Sequence, residues 1–269
     1  MCVASGDSAW EVLIDGDEFI AEWVPARRRA VFEAGLCVAE RVDTAGIGAG
    51  RPVRAADGAL SVTSGDGVLA LLRRVPGRPL RADDPLDQQW WGDTLGAAHR
   101  VLRQYMPAQL ARFDVASLPV GSDHLALEPW LGPALRESAA AVRRIMVTDQ
   151  LTYGVLHGSP SAAAFRLDPS TGKVGLVGWT AAAIGPLLHD LAAAVLSAGG
   201  PSQAGDLVDG YAHASPVPRD ECEAILPELL ALRAALRASA VAASIHRDGG
   251  TPRDHAELTR LAAVYASVA

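Results

Sequence analysis

Residues 155–179, VLHGSPSAAAFRLDPSTGKVGLVGW, contain the residue types that usually surround a catalytic centre, but almost no acids. An apolar strand leads into His157-Gly158, a short loop and a hairpin follow, and the segment ends at Trp179. Its one carboxylate, Asp168, lies in the Asp-Pro-Ser-Thr-Gly turn, the part of a hairpin least able to face a pocket. The segment therefore has the frame of an active site without the groups for general acid–base chemistry.

A serine nucleophile is the first alternative for this segment. Ser159 stands two residues after His157, but no acid is placed to orient the histidine, and no Gly-x-Ser-x-Gly motif is present. We therefore interpret Ser159 as a small polar residue and do not predict a serine hydrolase.

The elements before this segment predict an α+β unit. Residues 10–24 form a strand, a turn at Asp15-Gly16-Asp17 and a second strand, and residues 26–42 have the apolar spacing of a helix. A second hairpin is predicted around Asp57-Gly58, followed by a buried strand over residues 67–75. The sequence thus predicts a small antiparallel sheet with one helix.

The remainder of the chain predicts mainly helices. Apolar residues recur at intervals of three and four over residues 84–105 and 130–147, and helical patterns return over residues 186–268. Because PGRPL at residues 76–80 interrupts the pattern, we place a boundary there. The predicted domains are an N-terminal lobe, 1–76, and a helical C-terminal lobe, 77–269, that contains residues 155–179.

Five stretches in this order resemble the aminoglycoside phosphotransferase family, which includes choline kinase relatives. They are LLRRVPGRPL (71–80), WWGDTLGAAHRVL (90–102), VLHGSPSAAAF (155–165), VGLVGW (174–179) and GPLLHDLAAAV (185–195). The resemblance covers nearly the whole chain. It implies a protein-kinase-like fold of two lobes, with a small antiparallel-sheet N-lobe and a mainly helical C-lobe.

The catalytic positions of that family are altered in this chain. The family loop reads His-Gly-Asp-x-x-x-x-Asn, in which the Asp orients the attacking hydroxyl and the Asn helps to hold magnesium. Ser159 stands at the Asp position and Ala164 at the Asn position. The family's Ile-Asp-Trp motif supplies a magnesium ligand, and here Gly178 precedes Trp179 in its place. We predict no catalytic residue and no metal site.

The N-terminal lobe also differs from the family at a position of chemical importance. The resemblance places Glu22 at the position where the family has a cation that holds the nucleotide phosphates. A carboxylate there would repel a triphosphate, so we expect no nucleotide cofactor. Glu33 resembles the helix glutamate that would pair with that cation, and the two carboxylates are expected to lie close together.

The chemical residues of the family are lost in this pattern, whereas its structural residues remain. Asp190 matches the family Asp that ties the loop to the next helix, and His157 usually braces the loop. We therefore predict a catalytically degenerate member, a pseudokinase, that binds a protein, peptide or small molecule. The alternative is an active enzyme with a remodelled cleft, either an atypical phosphotransferase or a catalyst of another reaction.

Composition excludes several other classes. A net charge of -7 disfavours nucleic acid as a partner. The three cysteines lack the spacing of a zinc site or a disulfide framework, and we expect a reducing, cytoplasmic location. The acidic first twenty residues predict no signal peptide, and the alanine-rich run at residues 180–200 is too weakly apolar for a membrane span.

Other residues that could do chemistry have structural interpretations. Arg27-Arg28-Arg29 is typical of a solvated helix start, and Lys173, the only lysine, lies in a hairpin turn. Trp90, Trp91 and Trp130 could line an aromatic pocket but are better explained by packing. Near residue 83, Asp84 is expected to cap a helix and Asp87 to lie in its first turn.

Overall fold

The structure is a computed structural model, and it describes residues 9–148 and 151–269. Its first part is a five-stranded antiparallel sheet in the order β1-β2-β5-β3, with β4 also paired to β5. The strands are β1 (Ala9–Ile14), β2 (Asp17–Pro25), β3 (Pro52–Val53), β4 (Val62–Ser64) and β5 (Gly67–Arg73).

The first hairpin forms as predicted. Asp15 and Gly16 adopt positive φ angles of 52° and 91°, the left-handed conformation that matches the twist of two paired strands. Strand β2 then pairs with β5 on its other side, so that Glu22 lies opposite Ala9 in β1 and Ala70 in β5. Glu22 is consequently in the middle of the sheet.

The second hairpin differs from the prediction. Residues 55–59 do form a turn, with Gly58 N donating to Ala55 O at 2.9 Å, but β3 and β4 each pair with β5 and not with one another. The regular hairpin instead joins β4 to β5 through the turn at Gly65, whose φ is 61°. Both places have residues that favour a turn. Pairing with β5 determines which of the two turns joins a regular hairpin.

Helix α1 (Arg29–Thr44) covers this sheet and also reaches the second part of the molecule. Phe32 and Leu36 pack with Val68 of the sheet in a small apolar cluster. Val38 and Val42, on another side of the helix, are fully buried in the main core with the C-terminal helices. Burial on two sides fixes α1 between the two lobes, since each side removes apolar surface from water.

The second part is mainly helical. Its helices are α2 (Pro85–Leu102), α3 (Leu131–Met146), α4 (Leu188–Ser197), α5 (Gly205–Ala214), α6 (Arg219–Asp248) and α7 (Pro252–Val268). Helix α6 packs against α3, α4 and α7, and α2 packs along α5. Gly92 allows the closest approach of α2 to α5, because a Cβ there would overlap the carbonyl oxygen of Leu207.

Two small sheets hold residues 153–186 between these helices. One contains β6 (Arg78–Pro79), β9 (Phe165–Leu167) and β10 (Val174–Leu176) in the order β10-β9-β6, and it is antiparallel. The other contains β7 (Ala111–Arg112), β8 (Tyr153–Leu156) and β11 (Ala183–Pro186) in the order β7-β11-β8, and its β7–β11 pair is parallel.

The two lobes are joined by backbone contacts near these sheets. Leu176 N in β10 donates to Gly48 O, in the loop after α1, at 2.8 Å. The predicted α+β class is confirmed, whereas the boundary expected at residues 76–80, the segment that carries β6, stays a prediction. No helix among the described residues is both long and apolar enough to cross a membrane.

Candidate functional site

Asp190 at the start of α4 holds the loop that follows β8. Its carboxylate is fully buried and accepts hydrogen bonds from His157 N at 2.6 Å and Gly158 N at 3.0 Å. His99 Nε2 lies 3.2 Å from the same carboxylate. Burial alone would raise the pKa of Asp190, but the bond to His99, the nearby histidines and the backbone donor outweigh it and lower the pKa. A charged Asp190 thus fixes the backbone of residues 157–158.

His157 is a brace in this loop. Its Nε2 lies 3.0 Å from Val177 O, a group that can only accept, so Nε2 carries the proton. Its Nδ1 accepts from Ser159 N at 3.3 Å. Burial lowers the pKa of His157, which keeps the ring neutral. With both nitrogens bonded to backbone, His157 has no free nitrogen to act as a base toward Ser159.

Trp179 completes the packing of the loop. Its ring lies edge-on to His157 with centroids 4.8 Å apart, and its Nε1 donates to Leu176 O at 2.9 Å. Gly178, just before it, has a φ of 90° and is exposed, with no atom near the place of a Cβ. The segment therefore keeps a turn at Gly178 that carries no side-chain ligand.

The two other altered positions lie on the same loop. Ser159 is exposed, and its hydroxyl makes no hydrogen bond to any described residue. Ala164 is half-buried and packs on the main core, while its carbonyl accepts from Val177 N at 2.8 Å. Apart from the Ser159 hydroxyl, these positions offer no polar side chain to a substrate or metal.

Glu22 faces the loop from the sheet. It lines a cavity of about 10 Å³ together with Gly35, Gly178 and Trp179, and it has no hydrogen-bond partner among the described residues. Burial raises the pKa of its carboxyl group above the ordinary value. A cavity of this size holds no more than about one water molecule.

Helix α1 forms one wall of this cavity and contacts the turn at Trp179. A Cβ at Gly35 would overlap the carbonyl oxygen of Trp179, so the helix backbone rests directly on the turn. A glycine is needed here for this close approach.

Glu33 lies elsewhere, which corrects its expected closeness to Glu22. Its carboxylate accepts from Ser61 Oγ at 2.6 Å and from Arg29 Nε at 3.0 Å, and it does not line the cavity of Glu22. The raised pKa of Glu22 has burial as its cause, without a contribution from Glu33. The reason is helical geometry: Phe32, Gly35 and Leu36 occupy the face of α1 toward Glu22, and Glu33 points to another side.

Comparison with models of protein families identifies the family of this chain. The model of the phosphotransferase enzyme family matches residues 27–225, which is more than half of the chain. The chain belongs to the phosphotransferase enzyme family. No curated protein sequence matches it.

Solved structures of kinases share the fold across nearly the whole chain. The amicoumacin kinase hAmiN, in complex with AMP-PNP, Ca2+ and Ami, is 16% identical with a TM-score of 0.75, over 99% of this chain and 88% of that one. A microcompartment-associated aminopropanol kinase is 17% identical with a TM-score of 0.76, over 99% and 89%. A choline/ethanolamine kinase family protein from Mesorhizobium loti is 16% identical with a TM-score of 0.70, over 99% and 87%. The predicted kinase-like fold is thus confirmed.

The family's magnesium and nucleotide do not fit the residues present. Magnesium requires oxygen ligands, and Ala164 and Gly178 have none in their side chains. At the position that the family resemblance gives it, Glu22 would set a carboxylate against the nucleotide phosphates. Within residues 9–148 and 151–269 no group of three or more His, Cys, Asp or Glu side chains could hold a metal ion.

A much larger cleft opens on the other side of the loop. Its volume is about 710 Å³, and it lies between residues 159–161 and the helices α4, α6 and α7. Four charged side chains line it: Arg233, Arg237, Glu257 and Arg260. This volume is within the usual range of small-molecule sites. Sequence reasoning missed these arginines, although Arg233 and Arg237 interrupt an alanine- and leucine-rich stretch at the i, i+4 spacing of one helix face.

The acids and tryptophans near the hinge have structural roles. Asp84 caps α2 as predicted, accepting from Leu86 N at 3.0 Å. Asp87 is buried and pairs with Arg78 through two bonds of 2.6 and 2.8 Å, a stronger role than the predicted helix-dipole partner. Trp91 is fully buried and donates to Pro160 O at 3.0 Å, while Trp130 stacks on Tyr265 with ring centroids 5.8 Å apart.

Proposed function

We propose that the chain is a catalytically degenerate phosphotransferase-family protein that acts by binding a partner in the cleft beside its loop. The observation that carries this proposal is the pair of residues at the family's magnesium positions, Ala164 and Gly178, neither of which has an oxygen ligand in a side chain. Glu22 also lines the small cavity beside Gly178, and none of the described residues that line that cavity has a cationic side chain.

Retention of the loop supports binding over simple decay of the site. Asp190 and His157 still fix residues 157–159 with hydrogen bonds, and the Trp179 ring packs on His157, although no acid remains for them to position. Buried polar networks are costly when incomplete. Their completeness here suits a rigid wall for the cleft of about 710 Å³. A protein, a peptide or a small molecule could occupy that cleft.

An active enzyme with a remodelled cleft is the second candidate. The exposed, unbonded hydroxyl of Ser159 at the edge of the cleft favours it. Against it, His157 has no free nitrogen to accept the serine proton. The binding role is therefore the better supported of the two.

A thermal-shift experiment with nucleotides tests the proposal. The melting temperature is measured with millimolar ATP or GTP, with and without magnesium, beside an active kinase of the family as positive control. A ligand at one hundred times its Kd stabilises a protein by about 2.7 kcal/mol, or about 5 °C for a domain of this size. We expect a shift below about 1 °C. Magnesium-dependent stabilisation by several degrees, or release of ADP, would refute the degenerate assignment.

A further inference from the structure

The large cleft beside the loop carries an excess of positive charge. Three arginines and one glutamate line it, and the other lining residues are uncharged. The single carboxylate, that of Glu257, lies within ion-pair distance of two of the arginines. Glu257 lies 2.8 Å from Arg260 Nε and 3.8 Å from Arg237 Nε. One cationic group is therefore left without a carboxylate partner within the cleft.

That group is Arg233. Its Nη2 donates to Gly158 O at 3.2 Å, and its Nη1 donates to His189 Nε2, also at 3.2 Å. Neither partner is charged: one is a carbonyl, and burial lowers the pKa of His189 to about 3. The nearest acid that acts on Arg233 is Asp190, whose oxygens already bond to His99, His157 N and Gly158 N. Burial lowers the pKa of Arg233, but a guanidinium remains charged in proteins.

A half-buried cation without an ion pair favours an anionic ligand. Desolvation of an unpaired charge costs free energy, and an anion that contacts it recovers part of that cost. Arginine is also suited to bind carboxylates and phosphates through two parallel bonds. The neighbouring Arg260 is held rigidly, because its Nη1 donates to Leu196 O at 3.2 Å in addition to its pair with Glu257.

Part of the remaining wall is apolar and belongs to two helices. Ala193 and Leu196 of α4 and Leu236 and Ala240 of α6 line this part, whereas Ser159, Ser161 and Ser197 add hydroxyl groups to the lining. A volume of about 710 Å³ is much more than an inorganic anion needs. An occupant that packs on the apolar part of the wall carries an apolar body as well as its acidic group.

We propose that this cleft binds an amphipathic organic acid, whose carboxylate, sulfonate or phosphate group contacts Arg233 beside Ser159 and whose apolar body packs between α4 and α6. The proposal rests on the proposed function, because it assigns a ligand class to the same cleft. The two can fail separately: the nucleotide experiment decides whether the protein is degenerate, and binding of an acid decides what the cleft accepts.

Three probes of the same shape test the charge preference. They are 2-naphthoate, the neutral 2-naphthamide and the cationic 2-(aminomethyl)naphthalene, titrated into the full chain by calorimetry. We expect 2-naphthoate to bind at least about tenfold more tightly than the amide, which equals about 1.4 kcal/mol, and the amine to bind most weakly. Equal binding of the three probes, or no binding of 2-naphthoate at millimolar concentration, would overturn the proposal.

Variants of the arginines locate the acidic group. Arg233→Met should weaken 2-naphthoate binding by about tenfold or more and leave 2-naphthamide binding unchanged. Arg247→Gln is the matched control, because Arg247 lies on the same helix outside the cleft and contacts Asp248. If Arg233→Met fails to fold, Arg237→Gln serves instead, with a loss of about threefold expected. Unchanged 2-naphthoate affinity in a folded Arg233→Met protein would refute the assignment to Arg233.

Discussion

His189 is a buried histidine whose polar atoms are only partly satisfied. Its Nε2 accepts from Arg233, so its Nδ1 must carry the proton, and this atom has no hydrogen-bond partner among the described residues. The ring also stacks on Phe113, with centroids 4.3 Å apart. Burial disfavours the charged ring, and protonation would also place a second charge beside Arg233, so the pKa of His189 falls from 6.5 to about 3.

This shift predicts a loss of stability in mild acid. The unfolded chain binds a proton at His189 below pH 6.5, whereas the folded chain does so only near pH 3, so the free energy of unfolding falls as the pH drops between these values. Between pH 7 and pH 5, proton binding by His189 in the unfolded chain lowers the free energy of unfolding by about 2 kcal/mol. His189→Gln, which can still accept from Arg233, should lose about that much less in urea unfolding at the two pH values. The control is His255→Gln at an exposed site. Equal pH dependence in wild type and His189→Gln would contradict a buried neutral His189.

For single residues, the sequence predicted those of the loop but not the arginines that line the large cleft. His157 and Asp190 belong to short motifs with a known order, so their positions could be transferred from the family. Arg233 meets Gly158 across 75 residues of chain and meets His189 across 44, and no local pattern encodes such contacts. The only local signal was a charged residue inside an otherwise apolar helical stretch.

Helix α1 is the element that packs against the turn at Trp179. Its glycine at position 35 lets the helix backbone rest on the carbonyl of Trp179. In a helix interior, glycine normally costs about 1 kcal/mol relative to alanine. Its presence on the face toward Trp179 is explained by that contact.

Alanine normally stabilises a helix relative to glycine. At position 35 we expect the opposite result. Gly35→Ala gains helix propensity, but its methyl group would overlap the Trp179 carbonyl oxygen, and overpacking of this kind costs about 1 to 3 kcal/mol. We expect a net destabilisation of about 1 to 2 kcal/mol by urea unfolding. Gly205→Ala, at the first residue of α5, is the matched control, because no atom lies within 4 Å of its Cβ position. If Gly35→Ala is as stable as Gly205→Ala, α1 does not rest on the turn.

Elements with local signals were predicted well, and those that depend on distant partners were not. The turn at Asp15 and Gly16 determined the first hairpin because both residues adopt positive φ angles. The strands around Asp57 have an equally good turn, yet each pairs with β5. Competition for β5 is a property of the whole sheet.

On the scale of the whole molecule, the fold is kinase-like, but the residues at three positions of the family's chemistry differ. Three positions could in principle be restored by Ser159→Asp, Ala164→Asn and Gly178→Asp. These changes supply an acid and oxygen ligands for magnesium. They leave Glu22 and α1 in place.

We expect the triple variant to have no measurable ATPase or aminoglycoside kinase activity. Glu22 would still repel nucleotide phosphates. The aspartate introduced by Gly178→Asp would also have to adopt a φ of 90°, a left-handed conformation that costs about 1 kcal/mol or more for a residue with a side chain. Coupled detection of ADP is the measurement, after circular dichroism shows that the variant is folded. Turnover in this variant would show that the N-terminal lobe still accepts nucleotide.

The placement of the large cleft has a kinetic consequence. Kinase-like proteins commonly close two lobes around their substrates, and such motions take microseconds to milliseconds. Here all of the residues that line the cleft lie between Ser159 and Arg260, within one lobe, and the hinge is tied by Arg78 to Asp87. A ligand can therefore enter without a hinge opening. Its association rate should rise in proportion to ligand concentration, as in a simple bimolecular encounter, without the plateau that a slow gating step would impose.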